Sequence, residues 1–368
     1  MRRFIVTLVL VASACGPEVQ KFDAEENSGT SPADAVRTCE SDEHCDGGES
    51  CEGDMCLPRR CGIAGQRTSR PPLGTRAVLA ERADVVASSE TEATAVDPNT
   101  SQEIWRKHAP GEVLGIALVR LPESAAAAPV FAGRAGVDIP DVDDWDYDAP
   151  AGVPIAAVAA GDVAEDGEDD LVILSSDGRF ELCSPALARC ERASLGDREG
   201  IDVAVGDIDG SGAQRAVFLL RSNDASDLVV VDGVGGEGGA SVVTEARFEA
   251  RFDRVAVGDV TGDGIGEILA LEDGGWLGLA SDRAHVYAAT KDFDSPLPTA
   301  SLPGNSRDIA VADLRGDGDE ELVVLSGGGK VNRLSAHAGE WQEQPSIDLP
   351  IGDARAIALG LVVLGVAP

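Results

Sequence analysis

The chain has 368 residues, of which 43% are hydrophobic and 26% charged, a balance that is ordinary for a soluble globular protein. It carries 65 acidic and 30 basic residues, so its formal net charge is −35. That charge repels phosphate backbones and anionic headgroups, which excludes nucleic-acid binding and makes acids at a fixed spacing candidate cation ligands.

The first residues have the order of a secretory signal peptide. Two arginines precede an apolar run that ends at Val11, and small residues follow. We predict a signal peptide over residues 1–14. The run Ala-Ser-Ala-Cys ending at Cys15 resembles the bacterial lipobox, in which the cysteine is lipidated. It predicts an exported protein anchored to the cell envelope, on the periplasmic face or the cell surface, by this lipid only. Plain secretion is the alternative.

Residues 15–38 are polar and rich in Pro, Gly and Ser, which predicts a flexible tether. Residues 39–61 have few aliphatic side chains and hold five cysteines, Cys39, Cys45, Cys51, Cys56 and Cys61. Because such a segment cannot bury a core, we predict that disulfides order it, with the connectivity open and one thiol left over. A zinc site is the alternative, but paired C-x2-C spacing is missing and the only histidine is His44.

After a linker at residues 62–74, short apolar runs alternate with Gly and Asp clusters, which predicts an all-β domain over residues 75–368. Four segments align on a shared aspartate, and these aspartates lie 45, 52 and 54 residues apart: Asp162, Asp207, Asp259 and Asp313. One four-stranded propeller blade needs about that much chain.

Further strand-like runs begin near Ala77, Ile116 and Ala356, which gives seven starts in all. We therefore predict a six- or seven-bladed β-propeller, closed by pairing of its terminal strands because closure removes exposed edges. An open repeat array is the alternative.

Each shared aspartate opens a loop with one pattern. Counted from it, position 1 is acidic, positions 3 and 5 are polar, position 6 is glycine, and position 9 is acidic. Calcium needs six to eight hard oxygens, which alternate positions of a tight loop can supply. An EF-hand would close with glutamate at position 12 between helices, but position 12 here is Ile173, Ala270 or Val324. We therefore predict strand–loop–strand sites.

These loops follow V-A-V-G-D and precede D/E-L/I, and they resemble the FG-GAP/VCBS repeats of integrin-α-like β-propellers over residues 157–325. The resemblance implies a calcium-binding propeller. This scaffold serves adhesion, assembly and binding, and it also accompanies hydrolases. We expect a binding, adhesion or scaffolding module with an unknown protein or glycan ligand, and not an enzyme.

The four ligand sets are unequal, and we expect two or three structural calcium ions. The candidate ligands are Asp259, Thr261, Asp263 and Glu267; Asp162, Asp166 and Asp170; and Asp313, Asp317 and Glu321. The first loop has Ala164 at position 3, and the fourth has Arg315, which we expect to turn outward. The second offers Asp207, Asp209 and Ser211, but Arg215 at position 9 can pair with both acids and replace the ion. A metal-free Asp/Gly turn is the alternative for all four.

Cys183 and Cys190 flank a segment with turn character, and we expect their disulfide to close a hairpin tip. The tripeptide Arg-Gly-Asp at residues 315–317 matches an integrin-recognition motif. We interpret it as coincidence, because Asp317 is a candidate ligand.

Residues 138–148 place Trp145 and Tyr147 among carboxylates that include Asp143 and Asp144. This stretch motivates the alternative function, a carbohydrate-active or other hydrolytic enzyme that uses the propeller face. An exposed loop between blades is the simpler interpretation.

Overall fold

Strands are the only regular elements in the described part of the chain. The computed structural model describes residues 49–52, 55–58, 83–108, 112–121, 127–140, 146–184, 189–232, 240–272, 281–289 and 293–360. None of these residues belongs to a helix long and apolar enough to cross a membrane. The chain divides into two compact units, Met1–Thr68 and Ser69–Pro368.

In the first unit, the described residues form a short antiparallel hairpin. Strand β1 (Glu49–Glu52) pairs with β2 (Met55–Pro58), and the register sets Cys51 opposite Cys56. The predicted signal peptide, lipidation site Cys15 and tether lie outside the described residues. The same holds for Cys39, Cys45 and Cys61, so the disulfide pattern of this segment stays a prediction.

In the second unit, the described residues form six antiparallel sheets of four strands each. The strands in chain order are β3 (Asp84–Ser88), β4 (Glu92–Val96), β5 (Glu103–His108), β6 (Gly115–Arg120), β7 (Ala127–Ala132), β8 (Gly136–Asp138), β9 (Asp146–Asp148), β10 (Ile155–Gly161), β11 (Asp170–Ser175), β12 (Arg179–Ser184), β13 (Arg189–Ser194), β14 (Glu199–Gly206), β15 (Arg215–Ser222), β16 (Ala225–Asp232), β17 (Ser241–Phe248), β18 (Phe252–Gly258), β19 (Glu267–Glu272), β20 (Arg283–Tyr287), β21 (Ala300–Ser301), β22 (Ser306–Ala312), β23 (Glu321–Ser326), β24 (Lys330–His337), β25 (Glu340–Asp348) and β26 (Ala356–Gly360). From the inside outward, the blades are β26-β3-β4-β5 (blade 1), β6 to β9 (blade 2), β10 to β13 (blade 3), β14 to β17 (blade 4), β18 to β21 (blade 5) and β22 to β25 (blade 6).

Blade 1 closes the ring. Its innermost strand, β26, comes from the C-terminal part of the chain and pairs with β3, with Ala356 opposite Ser88. The innermost strands contact one another in succession from β6 through β10, β14, β18 and β22 to β26, and β26 contacts β6. The predicted closure by terminal strands is therefore confirmed.

The structure has six blades, the smaller of the two predicted numbers. The count of seven starts treated the apolar runs near Ala77 and Ala356 as separate blades. In the structure, β3 contains the end of the first run and β26 begins at the second, and both strands belong to blade 1. A count along the sequence separates them because β26 and the other three strands of this sheet lie at opposite ends of the domain's sequence.

Apolar clusters fill the spaces between neighbouring blades. Each of the six clusters of buried residues draws its side chains from two adjacent blades. The second strands carry the longest aliphatic runs, and Leu171 through Leu174 in β11 are fully buried. A strand covered on both faces can be apolar at successive positions, which explains why these runs do not alternate with polar residues.

Glycine precedes the shared aspartate in blades 3 to 5 because adjacent innermost strands approach closely. A Cβ added to Gly161 would lie 2.5 Å from Val205 Cγ1 of the next blade. A Cβ on Gly258 would lie 2.2 Å from Val311 Cγ1 in the same way. Carbon atoms do not fit at these distances in a close-packed interior. The repeated Gly-Asp pair therefore reflects blade packing as well as the loop.

Candidate calcium loops

The four acidic loops occupy equivalent places in blades 3 to 6. Each leads from the innermost strand of its blade into the second strand. The flanking strands confirm the predicted strand–loop–strand arrangement. Asp162, Asp207, Asp259 and Glu320 from these loops line one mouth of the central channel, a cavity of about 650 Å³ walled by the innermost strands.

The same backbone conformation recurs in all four loops. The glycines at position 6 have positive φ angles of 89°, 84°, 86° and 91°, in Gly167, Gly212, Gly264 and Gly318. Other residues are strained in that conformation. Each glycine N–H donates a hydrogen bond to Oδ2 of the shared aspartate, at 3.0, 2.7, 2.7 and 2.7 Å respectively. These bonds are those of an Asp/Gly turn, and they fix the position 1 carboxylate beneath the loop.

In the Asp259 loop the predicted ligands converge. Carboxylate oxygens of Asp259, Asp263 and Glu267 lie within 4.8 Å of one another. The Thr261 hydroxyl donates to Glu267 Oε1 at 2.9 Å, so position 3 also faces the cluster. Among the described residues no basic side chain pairs with these three acids. Burial raises the pKa of Glu267 to about 7, although the hydrogen bonds from Thr261 act to lower it. Such a set of hard oxygens fits calcium.

The Asp162 loop carries its three acids on the same backbone with one ligand fewer, but among the four loops only the described acids of the Asp259 loop bring three carboxylates within 4.8 Å of one another. The N–H of Ala164 donates to Asp170 Oδ2 at 2.9 Å, and the N–H of Asp166 donates to Asp162 Oδ1 at 2.9 Å. Burial raises the pKa of Asp170 to about 7. Within the described ranges no basic side chain pairs with the three acids of this loop. Since Ala164 supplies no side-chain oxygen, water would have to complete a calcium shell here.

In the Asp313 loop, Arg315 points into the acid cluster, so the expectation that it turns outward was wrong. Its Nε lies 2.8 Å from Glu321 Oε1, and its Nη1 lies 3.2 Å from Asp317 Oδ2. Glu321 Oε2 accepts hydrogen bonds from Nε and Nη2 of Arg333 on β24, at 2.9 and 2.7 Å. Glu321 is 0% exposed, and a fully buried carboxylate requires cationic partners. That requirement draws Arg315 inward.

In the Asp207 loop, Arg215 pairs with only one of the two acids proposed for it. Its Nη1 lies 2.5 Å from Asp209 Oδ2, and its Nε lies 3.4 Å from Asp232 Oδ2 on β16. Although burial opposes the change, hydrogen bonds from Ser211 and Arg215 lower the pKa of Asp209 to about 2. The guanidinium thus occupies the position 9 side of the loop and neutralises the acid at position 3.

In three of the four loops, the side chain at position 8, which the ligand pattern did not include, connects the loop to the preceding blade. Gln214 Oε1 accepts the N–H of Asp162 at 2.8 Å, and Glu320 Oε2 accepts the N–H of Asp259 at 2.6 Å. Asp169 makes the equivalent contact with the end of β6. The signal in the sequence was a polar residue just before the second strand in three of the four loops. Its role depends on a neighbouring blade, which the sequence does not show.

Charged side chains also line the channel further from the loops. Asp202, Arg254 and Asp308 each stand five residues before a shared aspartate, on neighbouring innermost strands, and face a cavity of about 90 Å³. Arg254 Nε lies 3.4 Å from Asp308 Oδ1, and Asp202 Oδ2 accepts the N–H of Val255 at 2.8 Å. Burial raises the pKa of Asp202, and the charge of Arg254 opposes that shift.

Cys183 and Cys190 are joined by a disulfide, which confirms that prediction. They lie opposite each other in the register of β12 and β13, at the tip of this hairpin. In the acidic and aromatic stretch, Tyr147 lies on β9, while Asp143, Asp144 and Trp145 are outside the described residues. The predicted enzymatic use of that stretch stays untested.

Solved structures with a similar chain trace share little sequence with this protein. BBS1N in complex with ARL6DN, from a crystal soaked with lead, is 14% identical with a TM-score of 0.49, over 76% of this chain and 85% of that chain. A protein of unknown function from Bacteroides caccae is 10% identical with a TM-score of 0.49, over 76% and 98%. Kuenenia stuttgartiensis hydrazine synthase is 14% identical with a TM-score of 0.48, over 74% and 85%. No family profile and no curated protein matches the chain. The blade count and ring closure therefore rest on this chain's own strand pairing.

Proposed function

We propose that the protein is an exported, calcium-stabilised β-propeller of the FG-GAP/VCBS type that acts as a binding, adhesion or scaffolding module. The observation that carries this proposal is the convergence of Asp259, Asp263 and Glu267 at the channel mouth. With the hydroxyl of Thr261, these side chains would hold the ion, while Asp162, Asp166 and Asp170 would hold another. An ion that binds only the folded state adds stability by mass action and rigidifies the loops at that mouth.

Thermal unfolding of the purified chain in calcium and in EDTA tests the metal. Free calcium at 100 times its dissociation constant is expected to stabilise the fold by about 2.7 kcal/mol per ion, which raises the melting temperature by several degrees. The variant Asp259→Asn/Glu267→Gln should lose the contribution of one ion. Glu343→Gln, on the exposed strand β25, is the matched control and should keep the full response. Equal midpoints in calcium and EDTA would contradict calcium binding.

A lipid on Cys15 is the second part of the proposal, supported by the signal-like residues before it. Expression in a bacterial host with an alkyne-tagged fatty acid should label the wild-type chain, which should fractionate with membranes. Cys15→Ser should abolish the label and release the protein from the membrane fraction. An unlabelled wild-type chain would reject the anchor and leave plain secretion.

The partner is proposed to be a protein or a glycan. A propeller presents the loops of its blades on one broad face, here around a cavity of about 650 Å³. A glycan array, together with pull-down from envelope extracts, would distinguish the two classes. If calcium only rigidifies the loops, binding should weaken in EDTA without being abolished at low temperature. Turnover of a bound glycan would instead favour the hydrolase alternative.

A further inference from the structure

The four loops fall into two kinds when the cations around their acids are compared. In the Asp313 loop, Glu321 Oε2 accepts hydrogen bonds from Arg333, while Glu321 Oε1 forms an ion pair with Arg315 Nε at 2.8 Å without a hydrogen bond. In the Asp259 loop, no described basic side chain pairs with the equivalent Glu267, and its oxygens accept hydrogen bonds from Thr261. The Asp207 loop belongs with the first kind, because Arg215 pairs with its Asp209.

We infer that Arg315 and Arg215 are resident cations that close their loops to metal, so that calcium binds in the Asp162 and Asp259 loops alone. This rests on the proposed calcium function and narrows it. The predicted set of two or three ions becomes two, and Asp313, Asp317 and Glu321 become a metal-free, arginine-closed cluster.

Three physical reasons support the assignment. Position 3 supplies a hydroxyl ligand in the Asp259 loop, whereas Arg315 supplies a positive charge at the same position, which repels a divalent ion. Arg315 contacts the acids at positions 5 and 9, the carboxylates that an ion would have to share. Displacing it would leave Glu321, which is 0% exposed, to be shared between the incoming ion and the buried Arg333.

The two kinds of loop alternate over blades 3 to 6, and each arginine-closed loop supports the loop of the preceding blade. Gln214 of the arginine-closed Asp207 loop accepts the N–H of Asp162, and Glu320 of the arginine-closed Asp313 loop accepts the N–H of Asp259. Each loop assigned to calcium therefore has its first ligand positioned by a neighbour whose own structure does not depend on metal. An arginine in place of calcium keeps that support in place when the metal is removed.

A reciprocal exchange of position 3 tests the inference. Arg315→Thr gives the Asp313 loop the ligand set of the Asp259 loop, and Thr261→Arg does the reverse. Bound calcium per chain is measured by equilibrium dialysis and elemental analysis, with folding checked by circular dichroism. We expect two ions in the wild type, three in Arg315→Thr and one in Thr261→Arg. Arg315→Lys, which keeps a cation, should bind two.

The outcomes separate this inference from the function on which it rests. No calcium in the wild type would overturn both. Three ions in the wild type, unchanged in Arg315→Thr, would overturn the arginine closure and leave calcium binding intact. The arginine closure would also be overturned if the wild type, folded Arg315→Thr and the double variant Arg315→Thr/Arg333→Gln each bound two ions. If Arg315→Thr does not fold, the loss of one ion in Thr261→Arg still decides whether arginine at position 3 excludes metal.

Discussion

The Asp259 and Asp313 loops carry acids at the same three positions and have the same backbone, yet their electrostatics differ. The acids of the Asp259 loop converge within 4.8 Å without a described basic partner. In the Asp313 loop, Asp317 and Glu321 pair with the guanidinium of Arg315, and Arg333 on β24 pairs with Glu321 as well. One substitution at position 3, together with one arginine on another strand, separates a loop that attracts a cation from one that already has it.

A repeated acidic pattern defines the conformation of a loop, while the charged partners of its acids define its chemistry. The conformation depends on the shared aspartate and on glycine at position 6, and both loops have them. The chemistry depends on what lies across the loop.

The largest effect is expected from Arg333→Met. Arg333 is 6% exposed and Glu321 is 0% exposed, so removing the arginine leaves a buried carboxylate with only Arg315. Breaking a buried pair in this way costs about 3–5 kcal/mol. Urea unfolding in EDTA measures the loss. The double variant Arg333→Met/Glu321→Met should recover most of it, because the unpaired charge is then gone. No recovery would mean that Arg333 acts through packing.

Glu267→Gln and Glu321→Gln compare the two loops at position 9. In EDTA, Glu267→Gln should leave stability unchanged or raised, because it removes a buried charge that has no basic partner. When free calcium is at 100 times its dissociation constant, Glu267→Gln should lose the stability that one ion contributes, about 2.7 kcal/mol. Glu321→Gln should behave oppositely, with a loss of stability in EDTA that is the same size in calcium, because both loops assigned to calcium are intact. Urea unfolding at both calcium levels checks the pair, and equal behaviour of the two variants would remove the distinction between the loops.

Gly258→Ala tests the close contact beneath the Asp259 loop. The added Cβ would lie 2.2 Å from Val311 Cγ1 and 2.6 Å from Glu320 Oε2, so the adjacent blade has to shift. Overpacking of this kind costs about 1–3 kcal/mol. Gly304→Ala is the control, because nothing lies within 4 Å of its added Cβ, and it should stay within about 0.5 kcal/mol of the wild type. Similar losses in both would show that the blade contact is not the cause.

The smallest effect is a pH dependence from the channel residue Asp202. Burial raises its pKa, so the folded protein keeps a proton that the unfolded chain has released. The stability from this group is therefore greatest in acid and declines as the pH rises through the raised pKa. Asp202→Asn should remove about 1 kcal/mol of the decline between about pH 5 and 7. Unfolding in EDTA at several pH values measures it, and parallel curves for variant and wild type would refute the shift.

Much of the fold follows from local pattern. The apolar runs such as Leu171 to Leu174 predicted strands, and the spacing of the shared aspartates predicted blades. The glycine at position 6 predicted the turn, because the need for a positive φ angle is set by the local backbone conformation. The disulfide between Cys183 and Cys190 could also be predicted from the sequence, because a hairpin brings together the residues that flank its short turn.

The candidate site was predictable only in part. Asp259, Asp263 and Glu267 lie within nine residues of one another, so their convergence follows from the loop itself. The direction of Arg315 was predicted wrongly, because it depends on the complete burial of Glu321 and on Arg333 across the sheet. Gln214 and Glu320 went unrecognised, because their hydrogen-bond partners belong to the preceding blade.

By itself, the sequence determined an all-β repeat protein with four acidic turns, because strand patterning and turn conformation are set by residues close together in the chain. Only the tertiary structure decided that the blades number six, that β26 completes the blade begun by β3, and that arginines lie among the acids of two loops. Those features depend on contacts between residues distant in sequence, and the burial that selects the partner of a charge exists only after the blades have packed.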